Sequence, residues 1–166
     1  MELGFVGLGK MGANMVRRLL KGGHTVHVFD RSAETVQALS AEGAKGAATL
    51  AELVKALKGP RVIWMRIPAG APVDETIAAL RPHISKGDIL IDGGNTRFTD
   101  TICRAKGLSD VGVQFVDVGT SGGVWGLQNG YCMMVGGEVA VKNLSTGRWL
   151  HSRWWTRCWP LREDDS

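Results

Sequence analysis

The sequence has few cysteines and no long apolar run, and each absence excludes a class of protein. Its three cysteines, Cys103, Cys132 and Cys158, are widely separated and form no Cys-x-x-Cys pair. This spacing argues against a disulfide framework and a zinc site, so we expect reduced thiols, the first two of them buried. No segment approaches the roughly 18 apolar residues of a membrane span, so no membrane partner is expected.

The chain also has no basic patch and no histidine cluster. The net charge is only +4, and the basic residues are scattered through most of the sequence, which argues against a nucleic-acid partner. His24, His27 and His83 have no neighbour spaced like a metal ligand, so no metal site is expected. The N-terminus enters a predicted strand at once and leaves no room for a signal peptide, which predicts a cytoplasmic protein.

The composition and the apolar pattern predict one domain of the α/β class. Hydrophobic residues make up 44% of the 166 residues and charged residues 22%, as in globular proteins. Short apolar runs alternate with helical stretches, the pattern of a doubly wound parallel sheet of the Rossmann type. Strands are predicted at residues 3–6, 25–29, 61–66, 88–92, 113–118 and 131–135. Helices are predicted at residues 32–42, 49–57 and 99–106. A further helix is predicted directly after the first strand, and another begins at Pro72.

The first strand leads directly into a glycine turn and a helix, the context of a dinucleotide-binding site. Gly7 permits the tight turn, Gly9 lets the backbone approach a pyrophosphate, and Gly12 lets the helix pack close to the strand. The positive end of the helix dipole then faces the phosphates. The predicted pyrophosphate-binding residues are Gly7, Leu8, Gly9, Lys10, Met11 and Gly12.

The second predicted strand ends in Asp30, about 20 residues beyond the last glycine, where a ribose-binding acid belongs. Its carboxylate suits the ribose hydroxyls of NAD and would repel the 2′-phosphate of NADP. Arg31 could stack on the adenine or pair with that phosphate, and Ser32 could donate to it or cap the next helix. We therefore expect NAD, with NADP as the open alternative.

Three later strands also end in candidate ligand loops. Ile67, Pro68 and Ala69 follow one of them, at a carboxyl end where ligands lie in such sheets. Asn95 follows the next in a Gly-Gly-Asn motif, and the one after that ends in Ser121, Gly122 and Gly123. Taken singly, Asn95 could form an Asx-turn and the glycines a turn of positive φ. Two such motifs on adjacent strand ends favour ligand binding.

Together, the glycine turn, the Gly-Gly-Asn motif and the Ser-Gly-Gly motif resemble the decarboxylating 6-phosphogluconate dehydrogenases, from Met1 to about Glu138. The resemblance implies that residues 67–69 lie near the nicotinamide and that Asn95 contacts cofactor and substrate. It implies that Ser121, Gly122 and Gly123 hold the sugar acid. In that family the C3 hydroxyl of 6-phosphogluconate is oxidised, CO₂ is lost, and ribulose 5-phosphate forms.

The family's general base, a lysine followed by histidine and asparagine, and its general acid, a glutamate, match nothing in this chain. We therefore expect no catalytic residues here, and binding with little or no turnover. We predict a dinucleotide-binding domain at residues 1–138 and an irregular tail at 139–166. A burst of tryptophan and arginine in that tail suggests translation out of frame, which would omit the helical domain that carries the homo-oligomer interface.

Two alternatives remain from the sequence. A β-hydroxyacid dehydrogenase shares the opening and the Ser-Gly-Gly turn, but such enzymes usually lack the Gly-Gly-Asn motif that contains Asn95. A non-enzymatic dinucleotide-binding module with a tryptophan- and arginine-rich binding tail would bind cofactor without any use for the sugar acid.

Overall fold

The computed structural model describes residues 1–137 and the backbone of residues 155–156. Strands and helices alternate along most of the chain, as the apolar pattern predicts. The strands are β1 (Glu2–Val6), β2 (Thr25–Phe29), β3 (Lys45–Gly46), β4 (Val62–Met65), β5 (Ile89–Asp92), β6 (Gln114–Ser121), β7 (Tyr131–Gly136) and β8 (Trp155–Thr156). The α-helices are α1 (Lys10–Lys21), α2 (Ala33–Ala41), α3 (Leu50–Ala56), α4 (Ala71–Leu80), α5 (Phe98–Ser109) and α6 (Gly126–Asn129), and a 3₁₀ turn spans Gly123–Trp125.

The strands form a single sheet in the order β3-β2-β1-β4-β5-β6-β7-β8. Strands β1 to β6 pair in parallel, β7 is antiparallel to β6, and β8 is parallel to β7. This arrangement confirms the predicted Rossmann-like fold. The strand order reverses between β1 and β4, which opens a crevice at their carboxyl ends, the usual ligand site in such sheets.

Three features of the sheet were not evident from the sequence. The strands β3 and β8 have two residues each, too few to show any periodicity. β8 also lies within the tail predicted to be irregular. The antiparallel direction of β7 depends on the short segment between β6 and β7, which folds into the 3₁₀ turn and α6 rather than a full crossover helix.

Helices cover both faces of the sheet, so the central strands are buried on both sides. All four residues of β4 are buried, which matches the continuous apolar run expected for such a strand. Trp64 packs in one core cluster, with its ring stacked on Phe5 at a centroid distance of 6.3 Å. Met65 packs in the other cluster, with Val6 and Ile63. Both residues therefore pack in the core.

Side chains cap the helices α2 and α3, and the cap at Ser32 is one of the two roles that the sequence offers for that residue. The hydroxyl of Ser32 accepts a hydrogen bond from the Thr35 N–H at 3.3 Å. The Thr49 hydroxyl accepts from the Glu52 N–H at 3.1 Å, and the Glu52 carboxylate accepts from the Ala48 N–H at 2.9 Å. The return bond of the capping box thus reaches one residue before the N-cap.

The cysteine predictions are wrong in two respects. Cys103 is free but exposed on α5, since it lies on the solvent side of that helix. Cys132 on β7 is half-buried and disulfide-bonded, so it is not a reduced thiol. Spacing along the chain carries little information about which cysteines approach each other in the fold. Within residues 1–137, no helix is long and apolar enough to cross a membrane.

Asp117 on β6 is a partly buried carboxylate that is not fully hydrogen-bonded. Its Oδ1 atom is buried and has no hydrogen-bond partner among the described residues. Burial, with a smaller effect from the charge of Asp92, raises the pKa of Asp117 above its usual range. The folded state therefore binds the carboxyl proton of Asp117 more tightly than the unfolded state does. As the pH rises from the unfolded-state pKa of this group to its higher folded-state pKa, the protein loses stability.

We expect Asp117→Asn to raise the free energy of unfolding at pH 7, by on the order of 1 kcal/mol. The gain should shrink as the pH falls, because the wild-type carboxyl becomes protonated in the folded protein. Urea unfolding at pH 7 and pH 4 measures both effects. Asp110→Asn, which removes an exposed carboxylate paired with Arg81, is the matched control and should not stabilise the protein. A larger gain at pH 4 than at pH 7 would contradict the assignment.

Candidate functional site

The glycine turn between β1 and α1 has the geometry that a bound phosphate needs. Gly7 has a φ of +92°, and its N–H donates to the Phe29 carbonyl at 3.0 Å. A Cβ atom at Gly7 or Gly12 would lie less than 3.0 Å from a backbone oxygen, that of Arg66 or of Gly7 respectively. A Cβ at Gly9 would meet nothing within 4 Å. Gly7 and Gly12 therefore permit close packing, whereas Gly9 leaves open space.

That open space lies at the start of α1. Gly9 is the N-cap residue of this helix, and no side chain caps it. The first backbone N–H groups of a helix have no partner within the helix and carry a partial positive charge. Lys10 is exposed beside them, Met11 is half-buried, and Leu8 is buried beneath the turn. This end of the helix can therefore accept an anionic ligand.

Asp30 connects the glycine turn to the end of β2. Its Oδ2 atom accepts from the Leu8 N–H at 2.6 Å, and its Oδ1 atom accepts from the Ser32 N–H at 2.8 Å. Each carboxylate oxygen can accept a further hydrogen bond, so the group is both fixed in position and able to bind hydroxyls. Arg31, beside it, forms an exposed ion pair with Glu75 of α4 at 3.1 Å.

A cleft of about 350 Å³ joins these groups at the point where the strand order reverses. It brings the glycine turn and the end of β2 together with the loop after β4 and the start of α4. The residues that line it are Val6, Gly7, Gly9, Phe29, Asp30, Arg31, Arg66, Ile67, Pro68, Pro72 and Thr76. The cleft thus unites predicted ligand residues from three separate segments of the chain.

The loops after β5 and β6 are joined by the side chain of Asn95. Its Oδ1 atom accepts from the Thr120 N–H at 2.9 Å, and its Nδ2 atom lies 3.4 Å from the Thr120 carbonyl oxygen. Asn95 has a φ of +59°, in the left-handed region that asparagine tolerates better than most residues. The amide is exposed and keeps one N–H and one oxygen lone pair for a ligand.

The Ser-Gly-Gly motif begins at the residue after Thr120. Ser121 is exposed at the end of β6. Gly122 and Gly123 have φ angles of +132° and +47°, so both need the conformational freedom of glycine. A Cβ at Gly122 would also lie 3.1 Å from the ring of Tyr131. The turn therefore has a structural reason for its glycines and at the same time presents a bare backbone and one hydroxyl.

A sequence model described as the NAD binding domain of 6-phosphogluconate dehydrogenase matches residues 2–145 of the chain. The chain belongs to this family. The match extends beyond the predicted domain boundary at Glu138, and the glycine turn, Asp30, Asn95 and the Ser-Gly-Gly turn all lie within it.

Curated and solved 6-phosphogluconate dehydrogenases confirm the assignment. The chain is 44% identical over 137 residues to the NAD(+)-dependent, decarboxylating enzyme of Haloferax volcanii, covering 82% of this chain and 45% of that protein. It is 44% identical to a decarboxylating enzyme of Saccharomyces cerevisiae, covering 86% and 31% respectively. The chain thus spans less than half of the curated relatives it matches.

Solved structures share the fold more widely. The 6-phosphogluconate dehydrogenase of Plasmodium falciparum, solved in apo form, with NADP+ and with 6-phosphogluconate, has a TM-score of 0.79 at 32% identity, covering 89% of this chain and 33% of that one. A 3-hydroxyisobutyrate dehydrogenase of Mycobacterium tuberculosis has a TM-score of 0.78 at only 25% identity, covering 88% and 50%. The fold is common to both enzyme classes, and the higher identity favours 6-phosphogluconate dehydrogenase.

In this domain, an ion network around the buried Asp92 supports the loop after β5. Asp92, at the end of β5, is fully buried and accepts from the Gly94 N–H at 2.9 Å and from the Thr96 hydroxyl at 2.7 Å. Arg104 of α5 approaches Asp92 at 3.4 Å and pairs with Asp74 of α4 at 2.7 Å. These hydrogen bonds raise the pKa of Arg104 and lower that of Asp74.

Sequence reasoning missed this network. Asp74 lies in the first turn of α4, where a carboxylate also interacts favourably with the helix dipole. Its ion pair with Arg104 spans 30 residues of sequence and could not be inferred from local spacing. One signal was present, because Asp92 ends an otherwise apolar strand and a buried carboxylate requires partners.

Proposed function

We propose that the chain binds NAD in the cleft at the glycine turn and 6-phosphogluconate at Asn95, Ser121, Gly122 and Gly123. The observation that supports the cofactor site best is the contrast among the glycines of the turn. Gly7 and Gly12 are enclosed by backbone atoms, whereas Gly9 alone opens to the space that a pyrophosphate would fill. The bound dinucleotide would supply the hydride acceptor of the family's reaction.

NAD rather than NADP is proposed because of the charges at the adenosine end of the cleft. The Asp30 carboxylate is held in place by two backbone N–H groups and would repel a 2′-phosphate. Arg31, the cation that could attract that phosphate, is already paired with Glu75. The curated relative from Haloferax volcanii is named as NAD(+)-dependent, which agrees with this preference.

We expect Glu75→Gln to bring the affinities for NADPH and NADH closer together. Removing the partner of Arg31 frees a guanidinium for the 2′-phosphate, and because the pair is exposed the effect should be modest, about twofold to fivefold tighter NADPH binding. NADH binding should stay within about twofold of wild type, since the ribose acid is untouched. Fluorescence titration with each reduced cofactor measures the ratio.

Glu42→Gln is the control for that experiment, because it removes another exposed carboxylate that pairs with an arginine, Arg17. It should change neither affinity. An unchanged NADPH affinity in Glu75→Gln would show that Arg31 does not contact the phosphate.

The sugar acid is proposed to lie at the loops after β5 and β6. The free N–H and lone pair of Asn95 suit its hydroxyls, and the Ser121 hydroxyl with the backbone of the two glycines suits its carboxylate. The family's base and acid match no residue of the printed sequence, so the 166 residues should bind without turning the substrate over at the rate of full-length relatives. The domain boundary at 138, the nature of the tail, the homo-oligomer and the cytoplasmic location remain predictions.

Calorimetry on the full 166-residue chain tests this proposal. NADH should bind, NADPH should bind more weakly, and 6-phosphogluconate should bind once NADH is present. Binding of NADH with no binding of 6-phosphogluconate would instead favour the non-enzymatic dinucleotide-binding module. Failure to bind either cofactor would refute the proposed site.

A further inference from the structure

Arg66 is one of the residues that line the cleft, and it follows β4 directly. Its N–H donates to the Val6 carbonyl at 2.7 Å, and its own carbonyl oxygen is the atom that a Cβ at Gly7 would strike. The residue is half-buried and lines the cleft together with Gly9. Arg66 is therefore fixed beside the space that the glycine turn leaves open.

The guanidinium of Arg66 is poorly satisfied by the described residues. Its one hydrogen bond there runs from Nη2 to the Met11 sulfur at 3.0 Å, and a thioether is a weak acceptor. Its Nε atom is buried and has no partner within the same residues. Burial lowers the pKa of Arg66, although the nearby charge of Asp92 opposes this effect. A guanidinium has five N–H donors, so most of its capacity is unused.

Three other arginines of the domain differ from Arg66 in having a carboxylate partner. Arg17, Arg61 and Arg104 each pair with a carboxylate at 3.0 Å or less. Among residues 1–137, Arg66 has no carboxylate within ion-pair distance. Asp92 is nearby, but its oxygens are occupied by Gly94, Thr96 and Arg104. The fold thus leaves a partly desolvated cation in the cleft without an anion.

We propose that Arg66 binds an oxyanion of the ligand: a phosphate oxygen of the dinucleotide or an acidic oxygen of the sugar acid. Charge-assisted hydrogen bonds to such a group would replace the weak bond to Met11 and satisfy the buried Nε atom. This inference rests on the proposed function, because it requires that the cleft hold those ligands. It adds a specificity residue that the glycine-turn motif does not include.

Arg66→Met and Arg66→Lys in the full chain test the proposal, with NADH alone and then 6-phosphogluconate in the presence of NADH as ligands. Arg66→Met should weaken one of the two by about tenfold or more, the loss typical of a charged hydrogen bond. A loss with NADH identifies the phosphate, and a loss confined to 6-phosphogluconate identifies the sugar acid. Arg66→Lys should recover part of the affinity, since it keeps the charge but not the fork of donors.

The stability of the unliganded protein separates a ligand role from a structural one. Replacing a poorly satisfied cation by methionine should leave the Tm unchanged or raise it, whereas loss of a structural residue would lower it. Lys55→Met removes the same charge at an exposed position on α3 and should affect neither binding nor Tm.

Wild-type affinity of Arg66→Met for NADH, and for 6-phosphogluconate wherever the wild type binds it, overturns the proposal. So does a lowered Tm with unchanged binding. If the wild-type chain itself fails to bind NADH, the proposed function fails instead, so the two failures are distinguishable.

Discussion

Gly9→Ala and Gly12→Ala should both weaken cofactor binding, but only Gly12→Ala should also lower the stability of the unliganded protein. In Gly12→Ala the new Cβ would collide with the backbone carbonyl of Gly7, and neither atom lies at the end of a flexible side chain. Overpacking of this kind costs about 1–3 kcal/mol, and here α1 must move away from the turn. We therefore expect a lowered Tm together with loss of cofactor binding.

Gly9→Ala places its Cβ in open space, and Gly9 has no positive φ, so the unliganded fold should keep its Tm. Binding of NADH should fall by at least about tenfold, because the methyl group would occupy the position that the pyrophosphate must approach. Thermal unfolding and NADH titration measure the Tm and the NADH affinity of each variant. Equal effects of the two substitutions on stability would contradict the division of roles.

Gly107→Ala is the control for both glycine variants. Gly107 lies in α5, where an added Cβ would meet nothing within 4 Å. Alanine is preferred to glycine inside a helix by about 1 kcal/mol, so this variant should be slightly more stable than wild type and bind NADH normally.

Arg104→Met should be the most destabilising of the charge substitutions, at about 3–5 kcal/mol. It removes the cation that approaches the fully buried Asp92 carboxylate, which would then keep hydrogen bonds from the Gly94 N–H and the Thr96 hydroxyl but no ion pair. The Asp92 carboxylate also holds the loop that carries Asn95 through its bonds to Gly94 and Thr96, so the geometry of this loop should be disturbed as well. Urea unfolding measures the loss of stability.

Adding Asp92→Asn to Arg104→Met should recover part of that loss, because the uncompensated charge is then gone. Arg17→Met is the matched control, since its ion pair with Glu42 is exposed and should contribute less than about 1 kcal/mol. Equal losses in Arg17→Met and Arg104→Met would mean that burial of Asp92 is not the cause.

The ion pair between Asp74 and Arg104 should make the free energy of unfolding depend on pH in the acid range. Its hydrogen bonds from Arg104 lower the pKa of Asp74, so the stabilisation is present above the unfolded pKa and is lost as the pH falls through the folded one. Because Asp74 is exposed, this contribution is smaller than that of Asp92.

Local patterns predicted the elements that depend on nearby residues. The glycine turn and the cap at Ser32 each involve groups within a few residues of each other in the chain. The strand positions followed from the apolar runs. The helix bounds were less accurate, because α5 extends to Ser109, beyond the predicted end at residue 106. Such features are local because a turn or a cap is formed by residues adjacent in the chain.

Contacts between distant segments could not be predicted in the same way. The bonds between Asn95 and Thr120 join loops 25 residues apart, and the ion pair between Arg31 and Glu75 spans 44 residues. The weakly satisfied guanidinium of Arg66 is likewise visible only once its surroundings are known. The sequence contains the residues of these contacts but no periodic signal that pairs them.

Glycine spacing and apolar alternation were enough to predict the dinucleotide-binding turn and the fold class, because both act through adjacent backbone. The family was predicted from the resemblance of the glycine turn, the Gly-Gly-Asn motif and the Ser-Gly-Gly motif to those of known enzymes. Which glycines are enclosed, which one faces open space, and which charged side chains have a partner became visible in the fold alone. Steric enclosure and ion pairing depend on distances in space, and parallel strands bring residues from distant segments to the same edge of the sheet.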